Sequence, residues 1–138
     1  MGSPIESRVT GSLAALAARR GGLRLFVVFG SQARGDAHER SDWDLGYLGE
    51  PGFDADRLLA DVVLTLGTDR VDLVDLARAS ALLRYRAARD GVVVHEAVGE
   101  FDRFRVEAVS FYCEVQPVIG EAYRRVLQAL PRRAGAGQ

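Results

Sequence analysis

The sequence predicts an α+β fold: a small mixed sheet of about four strands packed with helices, with further helix at the C-terminal end. Three observations predict it. Short apolar runs at 23–29, 42–48, 70–76 and 92–95 have the length of strands and are bounded by glycine or by polar turns. The longer stretches around them carry apolar residues three and four apart, the spacing of one helix face. The order is helix, strand, a glycine-bounded loop, strand, helix, strand, helix, strand, helix, which layers helices on a sheet.

Ser3-Pro4-Ile5-Glu6 has the form of a capping box with proline at the first helical position. Leu13, Leu16 and Ala17 continue an apolar stripe until Gly21-Gly22 stops it. Leu23 to Phe29 is too short for a helix and too apolar for an edge, so it is expected as a buried strand ending at Gly30. Ser31 to Gly35 is a short polar segment, and Asp42 to Leu48 alternates as a second strand before the turn Gly49-Glu50-Pro51-Gly52. Asp54 caps an amphipathic helix through Leu58, Leu59, Val62, Val63 and Leu66, with Gly67 as its stop. Arg70 to Leu76 is the third strand, Ala79 to Arg89 a helix stopped by Asp90-Gly91, and Val92 to His95 the fourth strand. Glu100 to Leu130 is helical with an expected interruption near Pro117, because proline lacks the amide hydrogen that a helix interior uses. The whole is read as one domain over 1–131, followed by a disordered tail over 132–138 that has no side chain able to anchor it.

Composition narrows the function. The chain has 138 residues, 48% hydrophobic and 27% charged, which suits one domain with a real core. Its 18 basic residues are all arginine and balance 19 acidic ones to a net charge of -1, so a dedicated nucleic-acid surface is not expected. The absence of lysine excludes Schiff-base chemistry and the Walker A phosphate-binding lysine. The single cysteine, Cys113, can form neither an internal disulfide nor a thiolate zinc cluster, and it is expected to be a small buried apolar residue. A reducing cytoplasm is the expected setting, with no export signal and no apolar run long enough to span a membrane. His38 and His95 lack metal-ligand spacing.

The chemistry concentrates in the first strand-loop-strand unit. Asp42 and Asp44 flank Trp43, and alternation along a strand points both carboxylates to one face, roughly 6.5–7 Å apart at their Cα atoms. Two like charges side by side call for a cation, and a pair of Mg²⁺ ions about 3.5–4 Å apart could be bridged by them and by substrate phosphates. Gly30 allows close backbone approach, the amides of Ser31 and Gln32 open a short helix, and Arg34 adds a fixed fork of donors: together these are phosphate-binding groups.

Gly30-Ser31-Gln32-Ala33-Arg34-Gly35 followed by Ser41-Asp42-Trp43-Asp44-Leu45 resembles the signature of the DNA polymerase β-like nucleotidyltransferase superfamily, closest to its minimal nucleotidyltransferases. The resemblance implies a small mixed sheet backed by helices and transfer of a nucleoside monophosphate from ATP or a relative with two Mg²⁺ ions. It also implies a third carboxylate on a later strand, for which Asp72 and Asp75 are the candidates; alternation places them on opposite faces, so one of the two joins Asp42 and Asp44. By the resemblance Asp72 aligns, as metal ligand and acceptor of the hydroxyl proton, and Asp75 reads as a strand end or helix cap. The site implied is thus Asp42, Asp44 and Asp72 as catalytic and metal-binding residues, with Gly30, Ser31 and Arg34 on the nucleotide.

In similar small proteins the partner is an HEPN-domain ribonuclease, and the nucleotidyltransferase is the antitoxin that adenylylates a tyrosine of that toxin. The competing expectations are a protein of the same fold that masks its partner without catalysis, and transfer to a small molecule as in aminoglycoside nucleotidyltransferases. The C-terminal apolar residues, among them Phe101, Phe104, Val109, Phe111 and Tyr112, are either core or a partner-docking face.

Overall fold

The computed structural model describes residues 7–35 and 41–129, with side chains to 116. The Ser3–Glu6 cap, His38 and the tail over 132–138 lie outside the described residues. The elements are α1 (Ser7–Ala18), β1 (Leu23–Phe29), α2 (Ser31–Arg34), β2 (Trp43–Gly49), α3 (Ala55–Leu66), β3 (Val71–Asp75), α4 (Ala81–Asp90), β4 (Val92–Glu96) and α5 (Glu100–Ala129). The strands form one sheet in the order β3-β2-β1-β4. β1 runs antiparallel to both of its neighbours, while β2 and β3 are parallel. A parallel pair needs a crossover, and α3 is that connection.

The central position of β1 explains its composition: a strand covered on both faces is largely apolar, and Leu25, Phe26, Val27 and Val28 are all fully buried, with Arg24 the one charged residue near its start. On one face Phe26, Val28 and Leu45 meet Leu13, Leu16 and Ala17 of α1 and Leu58 and Val62 of α3. On the other Leu25, Val27, Phe29 and Leu76 meet Ala87 and Ala88 of α4 and Phe104 and Ala108 of α5. Gly46 is bare because Leu76 fills its place: a Cβ there would lie 2.8 Å from the Leu76 Cδ1. α3 begins at Asp54, whose carboxylate accepts from the Arg57 N–H at 3.1 Å, and α4 begins one residue past Ser80, whose Oγ accepts from the Leu83 N–H at 3.2 Å. An ion pair from Arg20 to Asp61 at 2.9 Å ties the end of α1 to α3.

Two expectations are corrected here. α5 runs unbroken through Pro117: proline removes one hydrogen bond to the preceding turn, and a helix of this length carries that loss without ending. Cys113 is exposed, not buried. At about 100° per residue it is turned roughly 140° from Ala108, which faces the sheet, and so it stands on the outer side of the helix. The apolar residues of α5 divide in the same way, with Phe101 and Phe104 packed inward and Val106, Val109 and Phe111 exposed.

Candidate functional site

The site forms where β1 ends and β2 and β3 begin. Gly30 leaves β1 with φ 75° and ψ −154°, a conformation open essentially to glycine alone. The missing side chain also makes room for a carboxylate, since a Cβ on Gly30 would lie 2.3 Å from the Asp44 Oδ2. Asp44 pairs in register with Phe29 on one side and with Asp72 on the other. Partners in register on neighbouring strands project to the same face, so Asp44 and Asp72 stand side by side.

That crowding is felt in the titration of Asp44, whose carboxyl is held above its ordinary range chiefly by burial, then by the charges of Asp72 and Asp42, with Arg34 opposing. Asp42 departs from the expected strand geometry. β2 begins at Trp43, so Asp42 lies just ahead of the ladder and exposed, outside the pocket wall, while its charge still acts on Asp44. Asp75 stands elsewhere: it is in register with Tyr47, accepts from the Ala77 N–H at 3.0 Å, and lies 3.9 Å from Arg78. Burial and the Asp75 charge raise the Tyr47 phenol above its usual value. Asp75 is therefore a turn-forming residue on the face opposite Asp72.

A cavity of about 630 Å³ opens over Asp44 and Asp72, within the size range of small-ligand sites. Phe29, Gly30, Ser31 and Arg34 form its wall on the β1–α2 side, and Leu83, Arg86, Arg89 and Asp90 of α4 form the opposite wall. Asp90 links the two walls. Its carboxylate accepts from the Arg89 Nε at 3.0 Å and Nη2 at 2.9 Å, and its Oδ2 lies 3.6 Å from the Arg34 Nη1. The bidentate Arg89 contact, with the charges of Arg89 and Arg34, holds the Asp90 carboxyl below its ordinary range against a smaller opposing effect of burial.

The structure thus gathers Gly30, Ser31, Arg34, Asp44 and Asp72 around one cavity, sets Asp42 at its edge, and adds Arg86, Arg89 and Asp90, which sequence reasoning passed over. Their signal was spacing: Arg86 and Arg89 are three apart on a helix and share a face. Which cavity that face meets depends on strand order. Among the described residues no group of three or more His, Cys, Asp or Glu side chains is assembled as a metal cage. Two carboxylates still suit Mg²⁺, a hard ion commonly bound through one or two carboxylates together with waters and substrate phosphates.

Residues 12–98 match the model of the polymerase beta nucleotidyltransferase family. Over 110 residues the chain is 29% identical to the protein adenylyltransferase MntA of Aphanizomenon flos-aquae (strain 2012/KM1/D3), covering 70% of this chain and 73% of that protein. Among solved structures it resembles a chain of a toxin-antitoxin crystal structure with AMP-PNP, with TM-score 0.68 and 27% identity over 83% of this chain and 98% of that one. It also resembles a chain of the complex of a tri-AMPylated Shewanella oneidensis HEPN toxin with MNT antitoxin, with TM-score 0.63 over 84% of this chain and 97% of that one. At 24% identity this last likeness speaks for the fold alone.

Proposed function

We propose a function from one premise: the chain belongs to the polymerase beta nucleotidyltransferase family. Its reaction is the transfer of AMP from ATP to a tyrosine hydroxyl of a cognate HEPN ribonuclease toxin, and by that transfer the chain acts as the antitoxin. The observation that carries this reading is the pair Asp44 and Asp72, set in register at the floor of a cavity whose glycine, Gly30, is bare where the Asp44 carboxylate needs room. The likeness to a protein adenylyltransferase and to a toxin-antitoxin structure with an ATP analogue supports the choice of donor and acceptor.

In this reading Gly30, Ser31 and Arg34 receive the triphosphate. Gly30 lets the backbone approach, Ser31 offers the first amide of a helix turn, and Arg34 offers a planar charged fork. Asp44 and Asp72, with Asp42 adjacent, would hold the two Mg²⁺ ions, which when bound would neutralise charge at the phosphates and acidify the acceptor hydroxyl. The tyrosine oxygen bonds to the α-phosphorus as the bond from that phosphorus to the bridging oxygen breaks, and the electron pair leaves on pyrophosphate. The phenol proton goes to the Asp72 carboxylate. The working unit is a single domain over 1–131 in the cytoplasm.

The test is to co-express the chain with the product of its neighbouring gene and record the partner's intact mass with and without ATP and Mg²⁺. A gain of one or more units of about 329 Da, the mass an AMP group adds, is expected, and none from the Asp42→Ala, Asp44→Ala double variant. A stable complex of unchanged mass would instead favour a masking protein, and no complex at all would favour a small-molecule acceptor.

A further inference from the structure

The cavity is charged in two halves. The sheet side contributes Asp44 and Asp72, and the helical sides contribute Arg34, Arg86 and Arg89 with the single carboxylate Asp90. Two of these three are already engaged in the protein: Asp90, with its side chain 13% exposed, pairs with both Arg89 and Arg34. The third is not. Leu83, Arg86 and Arg89 recur every three residues along α4 and line the same wall, which puts Arg86 one turn before the clamp and over the cavity. Among the described residues no carboxylate pairs with Arg86. A guanidinium on the wall of a polar cavity, with no carboxylate paired to it among the described residues, suits an anion.

We propose that Arg86 binds the terminal phosphates of the nucleoside triphosphate and takes up the charge of the departing pyrophosphate. This rests on the reading that the cavity accepts a nucleoside triphosphate. The division of labour follows from the geometry. Arg34, fixed by Asp90 beside Gly30 and Ser31, stays with the phosphate nearest the carboxylates. Arg86, on the opposite wall, meets the part of the substrate that extends away from them. As the bond to the α-phosphorus breaks, negative charge grows on the leaving group, and a cation placed there stabilises the transition state more than the ground state.

The experiment compares the full chain with its Arg86→Ala, Arg86→Gln and Arg86→Lys variants by calorimetric titration with ATP, AMP and inorganic pyrophosphate in Mg²⁺. Arg86 is exposed, and melting curves check that each variant is folded. Loss of a charge-assisted contact is expected to weaken ATP and pyrophosphate binding about tenfold or more in the Ala and Gln variants. AMP binding is expected to hold within about twofold, and Lys to restore part of the loss by keeping the charge without the fork. Unchanged ATP affinity in Arg86→Ala, or an equal loss for ATP and AMP, would overturn the proposal while leaving the functional reading in place. So would a loss confined to the KM for the protein acceptor. Failure of the unaltered chain to bind ATP at all would overturn the reading beneath it, and the proposal with it.

Discussion

The two faces of β2 do opposite work within one strand. Trp43, Leu45 and Tyr47 join the cluster under α1 and α3, where Leu13, Leu16, Leu58 and Val62 are wholly or almost wholly buried and apolar side chains fill the space. Asp44, Gly46 and Leu48 turn to the face of α4 and α5, and along that face the chain passes from a packed leucine to a bare glycine to a half-buried carboxylate. The first face obeys every local rule of burial. The second breaks them progressively toward the cavity, where Asp44 is partly desolvated beside another carboxylate. Such local conflict is what a functional site costs, and the unbroken face opposite supplies the stability that tolerates it.

The sharpest way to break this comparison is to damage the quiet face. Phe26 is fully buried in the centre of the sheet, and Phe26→Ala is expected to cost about 3–5 kcal/mol in a urea unfolding series. Any activity loss should track the unfolded fraction and recover in conditions that refold the variant. A variant fully folded yet inactive would show that the two faces are not separable.

The next effect falls on the working face. Gly30→Ala must hold a Cβ at positive φ and push it against the Asp44 carboxylate, at a cost of about 1–3 kcal/mol. Here activity is expected to fall further than stability, because relief of the clash displaces Asp44. Parallel melting and transfer assays check it: equal losses in both would mean that Gly30 serves the fold alone.

Much of this was legible in the sequence. β1 is read to the residue because six apolar residues in a run of seven between glycines admit few other structures. Asp44 and Gly30 were legible because strand alternation and a strand-ending glycine are local facts, whereas alternation left Asp72 and Asp75 both open and the resemblance chose between them. What was lost had non-local causes. Asp42, expected inside the second strand, stands one residue ahead of the ladder, which begins at Trp43, though its charge still acts on Asp44. Arg86, Arg89 and Asp90 belong to a helix whose nearness to Arg34 follows from β4 pairing with β1, a long-range choice that no window of sequence displays. Asp90 looked like a helix stop; it is also the carboxylate between two arginines.

The smallest expected effect is the most telling about cost. In the folded chain Asp44 binds its proton at higher pH than an ordinary aspartate, near 3.8, because burial and the charges of Asp72 and Asp42 disfavour the ionised form. Between those two values the native state holds more protons than the unfolded state, so this residue's contribution to stability falls as pH rises through the interval and stays low above it. Asp44→Asn removes the charge at similar volume. Without metal, the variant is expected to melt slightly above the parent at neutral pH, with the gain shrinking as pH falls below the ordinary carboxylate range, where both chains are neutral at this position. Added Mg²⁺ should reverse the order, because a cation between Asp44 and Asp72 stabilises the parent and has one ligand fewer in the variant. Melting curves across pH, with and without Mg²⁺, decide it: a variant less stable than its parent at neutral pH without metal would mean that the carboxylate supports the fold, and that the two faces of β2 differ less than their side chains imply.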